Sequence, residues 1–213
     1  MSTNLPSLLI GIPFSLVYLA DGDARVNETR AAVDPLERRA VEAVRGGDSG
    51  GYDYLVSKYS RRALSIAWGI VRDAADAEDL VQEAFVRAYV KIGRFREGEP
   101  FGPWLYRIVT NLALDALKHR TKFPSTPVEP HDERGELRTA APEWSDTASR
   151  IDRAIESLPD MQRVVARLFI VEEFEHAEIA AMTGLAEGTV RSHLSHARKR
   201  LQEALKDLKE ESR

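Results

Sequence analysis

The chain has no cysteine among its 213 residues. Disulfide scaffolds, thiolate zinc sites and cysteine nucleophiles are therefore excluded, and a reducing compartment suits the composition. A metal site would need histidines and carboxylates alone, and there are only five histidines. An overall basic charge is missing as well: 30 Lys and Arg against 34 Asp and Glu leave a formal charge of −4. Any nucleic-acid contact must then come from local patches. Long unbroken apolar runs are also scarce. The segment Leu5 to Ala20 comes nearest, but the first basic residue is Arg25, so the charged start of a signal peptide is absent. The segment is interrupted by Pro6, Gly11 and Pro13, and it falls short of the roughly 20 apolar residues that cross a membrane. No membrane insertion is expected. Residues 1–33 are read as a tail, or as the product of a start codon placed upstream of initiation nearer Val26.

What is present is ordinary for packed helical domains: 43% hydrophobic and 30% charged residues. From Pro35 to Lys122 apolar residues recur at three and four positions, with no strand alternation. The spacing predicts helices over Pro35 to Arg45, Tyr52 to Val71, Ala75 to Ile92 and Phe101 to His119. Breaks fall at Gly46-Gly47, Arg72-Asp73 and Gly93 to Pro100. Periodicity then stops, and Pro124, Pro127, Pro130 and Pro142 mark a linker. Helical patterning resumes at Arg150. The expected fold is all-α: a tail over 1–33, a first domain over 34–120, a flexible linker over 121–149 and a second domain over 150–213.

In the second domain, Glu175 to Leu201 reads as a short helix, a turn containing Gly184 and a longer helix, the spacing of a helix-turn-helix. Ile179, Ala180 and Met182 are expected to face inward, with Leu185 at the turn. On the longer helix Val190, Leu194, Ala197, Leu201 and Ala204 form one apolar stripe. Arg191, Ser192, Ser195, Arg198 and Lys199 lie opposite, where donors can reach base edges and cations can neutralise phosphates. The triplet Arg198-Lys199-Arg200 alone would fit a solvated helix end equally well. His193 and His196, three apart with no third ligand, do not make a metal site. No metal and no cofactor are expected.

The string EIAAMTGLAEGTVRSHLSHARKRL resembles region 4.2 of the bacterial sigma factors, which reads the promoter minus-35 element. The resemblance implies DNA contacts at Thr189, Arg191, Ser192, Ser195, His196, Arg198 and Lys199. It departs from the family at Glu175, where Ser or Thr is usual, so a weaker helix cap is expected. Upstream, Ile151 to Val171 resembles region 4.1, with its break at Leu158-Pro159.

In the first domain, Leu80, Val81, Ala84, Phe85, Ala88 and Ile92 define an inward face, and Glu78, Asp79, Gln82 and Glu83 define an acidic one. Acidic residues near a helix start are common for dipole reasons alone. The string DAEDLVQEAF, Asp76 to Phe85, is however similar to region 2.2, which docks on the largest polymerase subunit. That likeness implies core RNA polymerase as a partner and Asp79, Gln82 and Glu83 as contacts. The following stretch interleaves Phe95, Phe101, Trp104 and Tyr106 with Arg94, Arg96 and Arg107, a combination able to stack on and neutralise unpaired bases. It resembles regions 2.3 and 2.4, which open the minus-10 element. The likeness implies single-strand contacts at Phe95, Arg96 and Asn111, backbone contacts at Lys118 and Arg120, and a neighbouring role for Arg107. Trp104 is divided between core and DNA.

With a Pro-rich linker joining the two regions directly, the layout is similar to the extracytoplasmic-function group. The implied activity is promoter-specific initiation in the cytoplasm, with promoter DNA as a second partner and an anti-sigma factor as a candidate third. The alternative is a stand-alone helix-turn-helix regulator, which would leave the Asp76 to Phe85 string unexplained. An enzyme is not expected and no small-molecule substrate is implied. Gly47 to Gly51 (GDSGG) matches the nucleophile segment of trypsin-like proteases, yet no histidine precedes His119 and the chain is helical. The string is read as a flexible turn between helices.

Overall fold

The computed structural model describes residues 34–96, 98–122 and 146–204, with the backbone alone at 121 and 146–149. The expectations for residues 1–33 and for most of the linker lie outside the described residues. Described elements are helical throughout: α1 Pro35–Arg45, α2 Gly50–Val71, α3 Ala74–Lys91, a single 3-10 turn Ile92–Arg94, α4 Phe101–Lys122, α5 Asp146–Glu156, α6 Asp160–Ile170, α7 His176–Thr183 and α8 Glu187–Ala204. Helix α4 runs three residues past the expected His119, and α5 begins four residues before the expected Arg150.

Local chemistry sets these boundaries. Pro35 occupies the first turn of α1, where its missing amide is harmless, and the Asp34 side chain accepts from the Leu36 amide at 2.9 Å. Asp73 caps α3 by accepting from the Asp76 amide at 2.9 Å. Between them α2 ends at Arg72 in the left-handed region, φ 59°. Arg120 of α4 closes that end: it donates to the Val71 carbonyl at 2.9 Å and pairs with Asp76. Helices α1 to α4 enclose a core built from Leu55, Ala63, Ile66 and Ile70 on α2, Val81, Ala84 and Phe85 on α3, and Phe101, Leu105 and Val109 on α4. In the second unit Ile155, Val164, Val165, Leu168, Ile179, Val190, Leu194 and Leu201 are buried together.

The Gly47 to Gly51 string is not simply a flexible turn. Gly50 and Gly51 form the first turn of α2, two residues earlier than expected. A Cβ on Gly51 would lie 2.5 Å from the Ala40 carbonyl oxygen and 3.0 Å from the Ala43 side chain. Glycine is there so that α1 and α2 can approach closely.

The two units also pack on each other, which periodicity had not indicated. Glu172, only 9% exposed, accepts from Arg62 Nε at 3.2 Å and from the Ser65 hydroxyl at 2.5 Å. The Arg62 guanidinium lies 4.4 Å from the Phe174 ring centroid, and Phe174 meets Tyr106 edge-on at 5.8 Å. Arg72 pairs with Glu156 at 2.6 Å. Arg167 holds Asp152 and Glu156, each at 3.0 Å, with its guanidinium 5.1 Å from the Trp68 ring.

In an open helix Ala is favoured over Gly by about 1 kcal/mol. Gly51→Ala is nevertheless expected to destabilise the protein by about 1–3 kcal/mol, because the added methyl collides with backbone. Denaturant melts measure this, and a stabilised variant would show that α1 and α2 are not in such close contact.

Candidate nucleic-acid interface

The helix-turn-helix is assembled as its spacing implies. Helix α7 ends at Gly184, φ 74°, whose amide donates to the Ala180 carbonyl at 2.9 Å. The left-handed conformation suits glycine. Ile179 and Met182 are buried, and Ala180 and Leu185 are partly so. The expected weakness of the Glu175 cap is offset from the opposite direction: the Glu175 amide donates to Glu178 Oε2 at 2.9 Å, half of a capping box. On α8 the buried stripe is Val190, Leu194, Ala197 and Leu201, while Ala204 at the helix end is exposed. Thr189, Arg191, Ser192, Ser195, His196 and Lys199 are exposed and Arg198 is half-buried. Arg191, Ser192, Ser195 and Lys199 share one stripe by helical spacing. Arg191 pairs with Glu187 at 2.9 Å, a surface contact weak enough to exchange for a base edge.

The same unit holds a titratable group that the sequence did not mark. His176 stacks on Phe169 at 5.2 Å with 18° between the ring planes. Burial, with repulsion from Arg191, holds its pKa below the usual imidazole value.

In the first unit, Arg96, Arg107, Asn111 and Lys118 are exposed. Arg107, Asn111 and Lys118 fall on one face of α4, with Asp115 between them pairing with Lys118 at 3.5 Å. One expectation needs correction. Phe95 is 6% exposed and packs against Phe101 at 5.7 Å and Trp104 at 5.1 Å, so its ring is core rather than a platform for a base. Arg120, 51% exposed, donates to the Val71 carbonyl and pairs with Asp73 and Asp76 at the end of α2. Trp104 remains between the two roles, half-buried against Phe95 and Phe101.

Along α3 the expected inward residues Val81, Ala84, Phe85 and Ala88 are buried, Ile92 is 8% exposed, and Leu80 is only partly covered. Asp79, Gln82 and Glu83 are exposed, and Glu83 pairs with Arg87 at 2.5 Å. Beside them lie two apolar residues that the sequence reading missed, Val86 and Val90, 62% and 76% exposed. Their signal was available: both fall outside the inward stripe, so two valines stand where a solvated face would carry polar residues.

The helical architecture with its helix-turn-helix is that of one class of protein, the initiation factors of bacterial RNA polymerase. Residues 55–123 match the family described as Sigma-70 region 2, and residues 148–201 match Sigma-70, region 4. The chain is 32% identical over 193 residues to the RNA polymerase sigma-H factor of Pseudomonas aeruginosa, covering 83% of this chain and 97% of that one. It is 35% identical over 155 residues to the ECF RNA polymerase sigma factor SigM of Mycobacterium tuberculosis, covering 73% and 77%. Among solved structures, the sigma factor RpoE in complex with the anti-sigma factor NepR from Bartonella quintana is similar, with a TM-score of 0.55, 25% identity and coverage of 73% and 96%. The chain belongs to the sigma-70 family. Within it, the chain is a member of the extracytoplasmic-function group.

A lowered pKa means that His176 favours folding in its neutral form. Its contribution is complete above the ordinary value of 6.5 and is lost as pH falls through the lowered folded value. The denaturation midpoint of the C-terminal unit is expected to decline over that acidic window, and His176→Phe, which keeps a ring on Phe169, should flatten the decline. An unchanged pH profile in the variant would assign the effect to another group.

Proposed function

We propose that this sigma factor binds core RNA polymerase through the exposed face of α3, reads the minus-35 element with α8, and engages the melted minus-10 element with the loop before α4 and the outer face of α4. The observation that carries this reading is the mixed stripe on α3. Asp79, Gln82 and Glu83 continue into Val86 and Val90 along one helix, an acidic patch with an apolar extension. Such a combination suits a partner that is basic at one end and apolar at the other, as protein interfaces are and solvated surfaces are not. A stand-alone regulator would have no use for it.

For the minus-35 element, Arg191, Ser192 and Ser195 are proposed as base readers, with Thr189, His196, Arg198 and Lys199 beside them on sugar and phosphate. For the minus-10 strand, Arg96, Arg107 and Asn111 are proposed as contacts, Lys118 as a phosphate contact, and Trp104 as the half-buried aromatic beside them. The domains proposed are 34–120 and 150–213, joined by a linker over 121–149. The factor acts with the polymerase in the cytoplasm and without catalytic chemistry of its own. Among the described residues no helix is long and apolar enough to cross a membrane. An anti-sigma factor is proposed as its regulator, on the likeness to a sigma factor solved with one.

Asp79→Lys and Val90→Glu are each expected to weaken core-polymerase binding about tenfold to a hundredfold, the effect of placing an unmatched charge at an interface anchor. Binding of the C-terminal unit to duplex DNA should not change. Undiminished core affinity in both variants would remove α3 from the interface. Arg191→Ala is expected to cost about 1–3 kcal/mol and to relax selectivity at one minus-35 base pair, whereas a uniform loss across sequences would mark Arg191 as a phosphate contact.

A further inference from the structure

The loop between the 3-10 turn and α4 is fastened at both ends by a helix that lies outside the family match. Its start is held by Arg45 of α1, which donates from Nε to the Ile92 carbonyl at 3.3 Å and from Nη2 to the Phe95 carbonyl. Its end is held by Glu37, also of α1, whose Oε1 accepts from the Phe101 amide at 2.6 Å. The region 2 match begins at residue 55, so α1 is not part of it.

Glu37 does here what a neighbouring residue does for most helices. The first amides of a helix lack intrahelical partners, and a side-chain oxygen of the residue just before usually accepts from the second or third of them. That residue is Pro100, which has none to offer. The oxygen comes instead from a carboxylate 64 positions earlier in the chain. Glu37 is 4% exposed, and its burial is compensated on the second oxygen, which accepts from Lys58 at 3.0 Å and from the Tyr59 hydroxyl. Between the pinned ends Arg96 and Gly98 are exposed, and Gly98 adopts φ 81°. A loop held at its ends is pre-shaped for a ligand, which limits the ordering cost of binding.

We propose that Glu37 is a positioning residue for promoter opening. By capping α4 from α1 it sets the loop tip against the outer face of α4, so that Arg96 and the Arg107–Asn111 face meet one unpaired strand in a single register. Arg45 is its counterpart at the other end of the loop. This inference rests on reading the loop as the single-strand contact, and the experiment separates the two.

Holoenzyme is reconstituted from the full chain and core polymerase and presented with a pool of fluorescent single strands of random sequence, about 12 nucleotides long, a typical single-strand site size. Retained strands are sequenced, and core affinity is measured in parallel. Glu37→Leu is expected to lower enrichment of the most strongly selected base about tenfold, the scale of one misplaced base contact, with core affinity retained. Glu37→Gln keeps one oxygen for which the Phe101 amide competes with Lys58 and Tyr59, and should restore part of the enrichment. Arg45→Ala, at an exposed site that does not threaten folding, should shift enrichment in the same direction as Glu37→Leu, and it decides the matter if Glu37→Leu does not fold. Unchanged enrichment in Arg45→Ala and Glu37→Leu overturns the proposal while leaving the loop reading intact. A parallel fall in core affinity and enrichment also overturns it, since that is the pattern of a residue needed only for folding. If the unmodified holoenzyme enriches no sequence, the loop reading fails and the proposal with it.

Discussion

The carboxylate of Glu37 is the point at which the first domain is tied together. One side chain meets the α2 residues Lys58 and Tyr59 with one oxygen and the first amide of α4 with the other. A buried carboxylate without partners would be costly, so these contacts must form together or not at all. Lys58 shows the balance: burial works against its charge, yet its hydrogen bonds to Asp34 and Glu37 outweigh that and hold its pKa above the ordinary value. Tyr59 is shifted upward too, by burial and by the carboxylate it donates to. Helix α1 therefore supplies the side-chain partner of the first amide of α4.

A second set of charges joins the two units. Glu172 receives Arg62 and Ser65, Arg72 pairs with Glu156, and Arg167, held by Asp152 and Glu156 of its own unit, lies over Trp68. Such pairs contribute little net stability over apolar substitutes, but removing one partner strands the other. Phe174 and Tyr106 pack edge-on beside these charges, and the buried apolar residues of the two units form one connected cluster.

Helices, breaks and the helix-turn-helix were legible in the sequence because they rest on local rules. Apolar residues three and four apart, Pro35 after Asp34 and Gly184 after Thr183 each act within one or two turns. The exposed face of α8 followed from its buried one. What remained hidden depended on residues distant in the chain. Glu37 in the first turn of α1 reads as a dipole partner for its own helix, and only folding reveals that it caps another. Arg120 in a basic stretch reads as a phosphate contact, and its partners Val71 and Asp76 lie far from it in the chain. Phe95 beside arginines reads as a stacking platform, but Phe101 and Trp104 enclose it. Gly51 looked like turn flexibility because the approach of Ala40 is a tertiary fact. Val86 and Val90 share a face with Asp79, Gln82 and Glu83, and as valines they read as core until the buried stripe of α3 is known.

The account depends on one chain joining polymerase to promoter, with α3 serving the first and the loop, α4 and α8 serving the second. Transcription of fragmented genomic DNA from the host by purified core polymerase, with and without the chain, tests this directly when the RNA 5′ ends are mapped. New start sites are expected that appear only with the chain and share two upstream elements at the minus-10 and minus-35 positions. Specific duplex binding by the chain with no new start sites would contradict it.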